Sequence, residues 1–379
     1  MNSNGHRTLA LAHDYLIQMG GAERVVAAMV RRHLSSPLYT STVRWDTLLP
    51  EFHSADIRCS WMQRLPGIEV HFKKYFALYP AGFHSFGVID APAVWVSAST
   101  FAKFLRTSRR TPTVLYCHNP TRFLWQAGDQ YVDLEVRVPL ANRIVRCFVP
   151  WLRRLDFEAA QNFDVIVANS KTVKDRITKY YRRTSTVVHP PVEISRFTPT
   201  AAHDDTYLVV SRLVAYKAID RAVIACSRSG RKLLVVGKGP DRERLESLAG
   251  PTVTFLGWKS DADVQALMQR CRAFVFSGEE DFGIAPVEAQ ACGKPVIAYS
   301  RGGALETVIE GESGCFFAAP TVEAVLDAIE RSERIEWDPV RIRRHAEFFD
   351  EDHFHRATDE TIAAARDFRR ERLARQAVE

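Results

Sequence analysis

The sequence contains no run of 18 or more apolar residues, which a membrane-spanning helix would require. Its seven cysteines are scattered, odd in number and include no C-x-x-C pair, which argues against a disulfide framework and against a zinc site. The apolar stretch of residues 8–12 is short and is followed at once by His13 and Asp14, unlike a secretory signal peptide. We therefore expect a cytoplasmic protein without transmembrane helices.

The composition is that of a large folded protein. The chain has 379 residues, of which 46% are hydrophobic and 25% charged, so it is too apolar for disorder and too long for one ordinary core. Its net charge of +6 favours anionic partners. Nucleotides, nucleic acid and acidic lipid headgroups are all anionic, so each is compatible with this net charge.

Short apolar strands alternate with helical segments in both halves of the chain. This alternation is typical of an α/β fold with parallel, doubly wound sheets, and its recurrence predicts two such domains. The strands are predicted at residues 9–15, 94–97, 113–118 and 163–168 in the amino half, and at residues 207–211, 233–237, 253–257, 273–276, 295–299 and 314–317 in the carboxyl half.

One acidic stretch lies where open α/β sheets bind ligands. Residues 277–289 follow the strand 273–276 and lead into a helix, so they lie at a strand's carboxyl end. Glu280 falls in the loop and Glu288 about one turn into the helix. Because ionised carboxylates only accept hydrogen bonds, the pair predicts a site for a hydroxyl-rich ligand. The alternative is an acidic cluster that complements the helix dipole.

Two basic side chains follow another strand of the carboxyl half. Arg212 and Lys217 come after residues 207–211 and precede a helix. A lysine there opposes the dipole of its own helix unless an anion lies between them, so the two residues predict a phosphate clamp. The alternative is a solvated pair on a surface loop.

Glycine-rich turns follow three of the predicted strands: Gly20-Gly21, Gly237-Lys238-Gly239-Pro240 and Gly302-Gly303. Such turns let backbone amides approach an anion closely, although glycine turns before helices are also common in ordinary folds. The second turn has only the first two glycines of a dinucleotide fingerprint and lacks its acidic partner. A nicotinamide-dependent enzyme is therefore disfavoured.

Polar side chains end two strands of the amino half. His13 and Asp14 end the first strand, where an acceptor could touch them, and His118 ends the strand 113–118. We expect His118 to point into an interdomain space; the alternative is a structural histidine. Residues 61–86 are rich in aromatic and basic side chains, with apolar residues at helical spacing. They predict a core-facing helix, with an acceptor groove or a membrane-docking surface as the alternative.

Together these motifs resemble the retaining glycosyltransferases of family 4, in the same order and at compatible spacing over nearly the whole chain. The most specific element is Glu280-x7-Glu288 with Phe282-Gly283 inside it, combined with Arg212-x4-Lys217. The segment His13-Asp14-Tyr15-x4-Gly20-Gly21-Ala22-Glu23-Arg24 is most similar to bacterial mannosyltransferases that build O-antigen or other surface polysaccharide. One departure is Pro190-Pro191-Val192-Glu193, where many members have asparagine-glycine after the proline. We expect it to stiffen the domain connection.

The resemblance implies the GT-B fold, in which two Rossmann-like domains face each other across a cleft. The first domain would span residues 1–198 and carry the acceptor side. The second would span residues 199–351 and bind the nucleotide sugar. A helix of about residues 352–379 would pack back on the first domain.

The resemblance also implies roles for individual residues. Arg212 and Lys217 would neutralise the donor diphosphate, and Glu280 would bind hydroxyls of the transferred sugar. Glu288 would bind the ribose, and His118 would contact the transferred sugar from the first domain. The implied catalytic residues are His118, Arg212, Lys217 and Glu280; the donor-binding residues are Gly20, Gly21, Gly237, Gly239, Gly257, Trp258, Phe282, Gly283, Ile284 and Glu288; and the acceptor-side residues are Asp14 and Arg122.

The chemistry of that family sets further expectations. GT-B enzymes generally need no metal, and the sequence has no D-x-D motif in a plausible metal-binding loop, so we expect neither metal nor cofactor. Retention of the anomeric configuration conventionally needs a nucleophilic carboxylate, and no residue is assigned that role. The family is usually explained by a same-face displacement in which the departing phosphate takes the acceptor's proton.

The leading hypothesis is transfer of mannose from GDP-mannose to a lipid-linked or oligosaccharide acceptor during bacterial surface polysaccharide synthesis. We expect a location at the inner face of the cytoplasmic membrane, peripheral contact with anionic lipid and no nucleic-acid partner. A UDP-sugar donor is the nearest alternative, followed by a hydrolysing epimerase of similar architecture. A non-catalytic basic module for nucleic acid or membrane is the third, and its affinity would fall steeply with salt.

Overall fold

The computed structural model describes residues 8–126 and 139–377, and only the backbone of Lys73 and of residues 139–147. The chain divides into two compact units. The first comprises Met1–His189 and Phe354–Glu379, and the second comprises Pro190–His353. Of the helix expected at about residues 352–379, the last two residues lie outside the described part.

The first unit is built on a parallel sheet of seven strands in the order β3-β2-β1-β5-β7-β8-β9. A separate parallel pair, β4 with β6, lies outside this sheet. The strands are β1 Ala10–His13, β2 Leu38–Thr40, β3 Ile57–Cys59, β4 Val88–Ile89, β5 Val94–Ala98, β6 Arg106–Thr107, β7 Thr113–Cys117, β8 Val165–Ala168 and β9 Thr186–Val187. The chain order reverses between β1 and β5, which is the switch point where such sheets bind ligands.

The second unit is built on a parallel sheet of six strands in the order β12-β11-β10-β13-β14-β15. Counted within the unit this order is 3-2-1-4-5-6, that of a dinucleotide-binding sheet, with its switch point between β10 and β13. The strands are β10 Thr206–Val210, β11 Lys232–Val236, β12 Val253–Gly257, β13 Ala273–Phe276, β14 Val296–Tyr299 and β15 Gly314–Phe317.

Helices connect the strands and cover both sheets. The α-helices are Gly21–Arg32, Ile68–His71, Tyr79–His84, Arg122–Trp125, Pro139–Gln161, Lys171–Tyr181, Ile219–Ser229, Arg242–Ser247, Asp261–Arg270, Ile284–Ala291, Ala304–Thr307, Val322–Glu333, Pro339–Ala346 and Glu351–Gln376. The 3-10 helices are Trp45–Thr47, Pro50–Ser54, Trp61–Arg64, Phe72–Leu78, Ala102–Phe104, Ile194–Arg196, Ala215–Lys217 and Glu347–Phe349. Among the described helices, none combines the length and the apolar character that crossing a bilayer demands.

The central strands of the two large sheets are buried on both faces because they are apolar at nearly every position. In β5, Val94 and Val96 pack into one core cluster while Trp95 packs into the cluster on the opposite face. In β10, Leu208 and Val209 are divided in the same way between two clusters of the second unit. This period of two follows from the pleat of the strand. The predicted α/β fold class is confirmed.

The terminal helix Glu351–Gln376 packs on the first unit. Its buried residues Phe354, Ile362 and Ala365 join the cluster that contains Trp95. The helix therefore contributes to the core of a sheet whose strands all end before residue 188 of the chain.

Residues 61–86 differ from the single core-facing helix that their spacing predicts. The segment forms four short pieces, Trp61–Arg64, Ile68–His71, Phe72–Leu78 and Tyr79–His84. Gly67 takes a left-handed conformation with φ of 60°, and Pro80 lies in the first turn of the last piece. A left-handed residue and a proline each interrupt a continuous helix. Five described strands of two or three residues, β2, β3, β4, β6 and β9, were also not predicted.

Candidate functional site

An ion pair lies at the switch point of the second unit. Lys217 follows β10 and Glu280 follows β13, and these strands are neighbours in the sheet. The Lys217 Nζ contacts Glu280 Oε2, with the two side chains only 16% and 21% exposed. Two residues 63 positions apart in sequence, each predicted to be catalytic, are thus in direct contact.

Backbone packing holds Lys217 in place. It ends the 3-10 helix Ala215–Lys217, and the next residue, Ala218, is left-handed with φ of 50°. Gly278 lies against this turn: a Cβ there would be 2.7 Å from the Lys217 carbonyl oxygen. A side chain at position 278 would therefore move Lys217, which explains the glycine in physical terms.

The loops after β13 and β14 interlock around Glu280. The Gly303 amide donates to the Glu280 carbonyl at 2.8 Å. A Cβ on Gly302 would overlap that same carbonyl oxygen, and one on Gly303 would overlap the backbone of Phe282. Gly302 and Gly303 were predicted to supply amides to an anion. In the structure, the close packing of the two loops already explains why both positions are glycine.

Arg212 lies on the surface of the loop after β10. Its guanidinium donates to the Tyr216 hydroxyl at 3.3 Å, and the Lys217 Nζ lies 5.5 Å from the centre of the Tyr216 ring. The half-exposed ring of Tyr216 thus lies between the two predicted phosphate-binding cations. Sequence reasoning missed this tyrosine, although its place inside Arg212-x4-Lys217 was a signal.

Gly237 and Gly239 support the Arg212 loop from the neighbouring strand. A Cβ on Gly237 would overlap the Ser211 carbonyl oxygen, and one on Gly239 would overlap that of Leu213. The Leu213 amide donates to the Lys238 carbonyl at 3.0 Å. The loops after β10 and β11 are therefore in backbone contact.

The other residues of the second unit that were predicted to bind the nucleotide sugar differ in how far their side chains are buried. Phe282 is buried with its ring 5.5 Å from that of Phe349, so only its backbone is suited to contact a ligand. Gly283, with φ of 93°, begins the helix Ile284–Ala291, in which Glu288 is the fifth residue. Ile284 and Glu288 are partly buried.

Gly257 and Trp258 lie at the end of β12, two strands from Lys217. The Gly257 carbonyl accepts from the Gly237 amide at 2.8 Å, which joins this turn to the glycine-rich turn after β11. The Trp258 side chain is 67% exposed. An exposed indole at the carboxyl edge of the sheet has the character of a stacking surface for a base.

In the first unit, Asp14 is tied to the protein backbone. Its buried carboxylate accepts four backbone N–H groups, those of residues 99–102, at 2.6–2.8 Å. Each oxygen takes two of these donors. Its carboxylate is therefore occupied by the backbone. We expect Asp14 to affect binding of the acceptor substrate only indirectly, by fixing the loop of residues 99–102.

The other predicted residues of this unit lie near the carboxyl ends of β1, β5 and β7. Gly20 and Gly21 begin the helix Gly21–Arg32, and the Gly20 amide donates to Glu23 Oε2 at 2.9 Å. The Nε2 of His118, just after β7, lies 2.7 Å from the Ser97 Oγ. Arg122 is the first residue of the short helix Arg122–Trp125 and is half-buried.

That short helix is anchored by a buried polar cluster. Thr121 Oγ1 and Trp125 Nε1 donate to the two carboxylate oxygens of Asp156, at 2.6 and 2.7 Å. The Lys103 Nζ lies 2.6 Å from Asp156, and the Tyr181 hydroxyl donates to Asp156 Oδ2 at 2.9 Å. Sequence reasoning missed this cluster because its members come from separate parts of the chain, each 18 to 31 residues from the next.

Across residues 8–126 and 139–377, no group of three or more His, Cys, Asp or Glu side chains is arranged to hold a metal ion. The expected independence of metal stays a prediction, because the reaction itself has to be measured without metal.

The chain is similar in sequence to known proteins. Residues 192–347 match the family model described as "Glycosyl transferases group 1". The GDP-mannose-dependent alpha-(1-6)-phosphatidylinositol monomannoside mannosyltransferase of Mycobacterium tuberculosis is 25% identical over 371 residues, which cover 85% of this chain and 88% of the relative. A relative of the same description from Mycolicibacterium smegmatis is 29% identical over 211 residues, which cover 47% of this chain and 54% of the relative.

A solved structure is similar over most of the chain. Anabaena HepE in complex with UDP superposes with a TM-score of 0.70 at 18% identity, covering 94% of this chain and 100% of that one. Similarity at this level of identity shows the fold alone. The fold is GT-B, and with the matched family model it supports a group 1 glycosyltransferase as the class of this protein.

Proposed function

We propose that this chain is a retaining glycosyltransferase that moves mannose from GDP-mannose to a glycan or lipid-linked acceptor in bacterial surface polysaccharide synthesis. The observation that carries the proposal is the contact between Lys217 and Glu280 at the switch point of a sheet with dinucleotide-binding strand order. An isolated Rossmann-like sheet serves many functions. A cation and a carboxylate meeting at this point match the two ends of a sugar diphosphate.

The paired side chains suit two different parts of that donor. An ammonium group binds phosphate oxygens as a point charge, whereas a carboxylate accepts hydrogen bonds from sugar hydroxyls. In the structure each charge is neutralised by the other, so neither is left buried alone. We propose that the donor separates the pair, with Lys217 binding the diphosphate together with Arg212 and Glu280 binding the sugar.

The proposed step is a same-face displacement. The bond between the anomeric carbon and the diphosphate oxygen breaks, and its electron pair leaves with the nucleoside diphosphate. The acceptor oxygen bonds to the anomeric carbon on the same face, and its proton passes to the departing phosphate oxygen. Lys217 and Arg212 lower the barrier by stabilising the charge that grows on the leaving group.

GDP-mannose is favoured over UDP-sugars because two relatives are described as GDP-mannose-dependent mannosyltransferases. The UDP-sugar alternative is supported by the similar fold of a structure solved with UDP. The exposed Trp258 is a candidate contact for either base. We further propose a cytoplasmic location with peripheral contact to anionic lipid, which brings the enzyme to a lipid-linked acceptor, and no nucleic-acid partner.

Calorimetric titration with GDP-mannose, GDP, UDP-glucose and UDP in the presence of a metal chelator tests the donor. We expect the guanine pair to bind selectively. Lys217→Ala should weaken this binding roughly 10- to 150-fold, because a charge-assisted hydrogen bond contributes about 1.5–3 kcal/mol. Transfer should also be abolished by Lys217→Ala and by Glu280→Ala while the fold is retained.

Lys232→Ala is the matched control. Lys232 is an exposed lysine at the amino end of β11, on the opposite edge of the same sheet, so its loss should leave donor binding unchanged. Preference for the uracil pair would replace GDP-mannose as donor but retain the site. Binding of none of the four nucleotides, or near-normal turnover by Lys217→Ala, would contradict the proposed site.

A further inference from the structure

A buried chain of hydrogen-bonding groups leads to His118 in the first unit. It runs from Glu23 through His13 and Ser97, and it crosses the neighbouring strands β1, β5 and β7. In the sheet register His13 lies opposite Ser97, and Ser97 lies opposite Tyr116, close to the end of β7. All four members of the chain are buried.

The geometry determines which nitrogen of His13 carries hydrogen. His13 Nδ1 lies 3.1 Å from the Ser97 carbonyl oxygen and 3.0 Å from the Ser97 Oγ. A carbonyl oxygen only accepts hydrogen bonds, so Nδ1 must carry a hydrogen and donate it. The Ser97 hydroxyl therefore receives this hydrogen bond rather than donating to His13.

Glu23 lies on the other side of the His13 ring. Its Oε1 is 3.8 Å from His13 Nε2, and its Oε2 accepts from the Gly20 amide. Burial opposes a charge on His13, but the nearby carboxylates of Glu23 and Asp14 and the Ser97 carbonyl together raise the pKa of His13. Glu23 thus favours the protonated form of His13, in which Nδ1 still donates to Ser97.

The direction of the last hydrogen bond follows. Among the described residues, the buried Ser97 hydroxyl contacts only His13 Nδ1 and His118 Nε2. Because His13 donates to it, the acceptor that remains for the Ser97 hydrogen is His118 Nε2, 2.7 Å away. His118 Nε2 is then an acceptor, and the ring hydrogen of neutral His118 lies on Nδ1.

We propose that Ser97, oriented by His13 and Glu23, is a positioning residue that holds His118 in the tautomer with hydrogen on Nδ1. The consequence for catalysis rests on the proposed function and on the role that the family resemblance implies for His118, contact with the transferred sugar. A ring held in this tautomer donates from Nδ1, so it would bind a sugar hydroxyl as an acceptor oxygen and in one orientation. Loss of the serine would allow both tautomers and a rotating ring.

The tautomer is tested directly by nitrogen NMR of the full-length protein labelled with ¹⁵N-histidine, with His118→Gln to assign the signal. We expect the wild-type ring to show protonated Nδ1 and unprotonated Nε2. Ser97→Ala should shift the signals toward a mixture of tautomers, and Ser36→Ala should not. Ser36 is a buried serine that precedes β2 at the opposite edge of the same sheet, so it controls for loss of a buried hydroxyl.

Steady-state kinetics of sugar transfer distinguish a positioning role of Ser97 from a general structural defect. Ser97→Ala should lower kcat about tenfold, as losses of an orienting partner do, with KM for the donor unchanged within about twofold. Ser97→Thr, which retains the hydroxyl, should recover most of kcat. If Ser97→Ala unfolds the protein, His13→Gln provides a second break in the same chain and should also mix the tautomers.

The outcomes distinguish this inference from the proposed function. A wild-type His118 with hydrogen on Nε2, or an unchanged tautomer in both Ser97→Ala and His13→Gln, would overturn the inference even in an active transferase. Absence of any sugar transfer would overturn the proposed function, while the NMR signals would still decide the tautomer.

Discussion

Single glycines in the second unit show how a residue's role depends on what lies next to it. Gly237 and Gly230 both take positive φ angles, 135° and 69°. A Cβ on Gly237 would overlap the Ser211 carbonyl oxygen, whereas one on Gly230 would have no atom within 4 Å. Alanine at Gly230 would therefore introduce backbone strain alone, whereas alanine at Gly237 would add a steric overlap to that strain.

Gly237→Ala should therefore lower the free energy of unfolding by more than about 2 kcal/mol, because the loop that carries Arg212 must move in addition to the backbone strain. Gly230→Ala should cost only about 1 kcal/mol, the strain of a left-handed non-glycine residue. Denaturant unfolding of both variants measures the difference. An equal decrease in the free energy of unfolding for both variants would show that the contact between the two loops does not contribute to stability.

The sequence signalled these glycines correctly but suggested a different reason for them. A Gly-x-Gly turn after a strand indicates close approach of something to the backbone. From the sequence that neighbour was expected to be an anion, and in the structure it is the adjacent loop at Ser211 and Leu213. A spacing pattern does not show which partner occupies the space, because that depends on strand order.

At the level of secondary-structure elements, the carboxylate of Asp14, just after β1, holds the loop that follows β5. Asp14 accepts the four amides of residues 99–102, which precede or begin the 3-10 helix Ala102–Phe104. These amides would otherwise be buried without partners, so the carboxylate and the loop depend on each other.

Asp14→Asn should destabilise the protein by roughly 3 kcal/mol, because the amide nitrogen of asparagine would face two N–H donors that lose their acceptor. Hydrogen exchange at residues 99–102 should accelerate in the same variant. Asp46→Asn serves as the comparison: Asp46 pairs with Arg44 on the surface, and such pairs contribute less than about 1 kcal/mol. Unchanged exchange at residues 99–102 would rule out this role of Asp14.

At the level of the whole molecule, the terminal helix is fastened to the first unit by a buried ion pair. Arg369 lies 2.8 Å from Asp164, with the two side chains 10% and 0% exposed. Arg369 also donates to the Arg109 carbonyl at 3.3 Å. Asp164 precedes β8 and accepts the Thr113 amide, so the pair joins the helix to two neighbouring strands.

Arg369→Met should lower the free energy of unfolding by about 3–5 kcal/mol, because it leaves the Asp164 carboxylate buried without its cation. Arg370→Met, at the next position, removes only an exposed pair with Asp367 and should change stability by less than about 0.5 kcal/mol. Chemical unfolding and hydrogen exchange along the helix measure both variants.

The double variant Arg369→Met with Asp164→Asn should regain part of the loss, because the buried charge is then removed together with its partner. An Arg369→Met protein as stable as Arg370→Met would show that apolar packing of Phe354 and Ile362 alone holds the helix.

By itself the sequence determined the alternation of strands and helices, the two sheets and the loops that carry Arg212, Lys217 and Glu280. These follow from apolar periodicity and from residues at strand ends, which are local properties of the chain. Only the tertiary structure decided that Lys217 contacts Glu280, that Asp14 binds the loop after β5, and that Ser97 lies between His13 and His118. Those contacts depend on which strands are neighbours, and parallel strand order is set by packing between residues far apart in the chain.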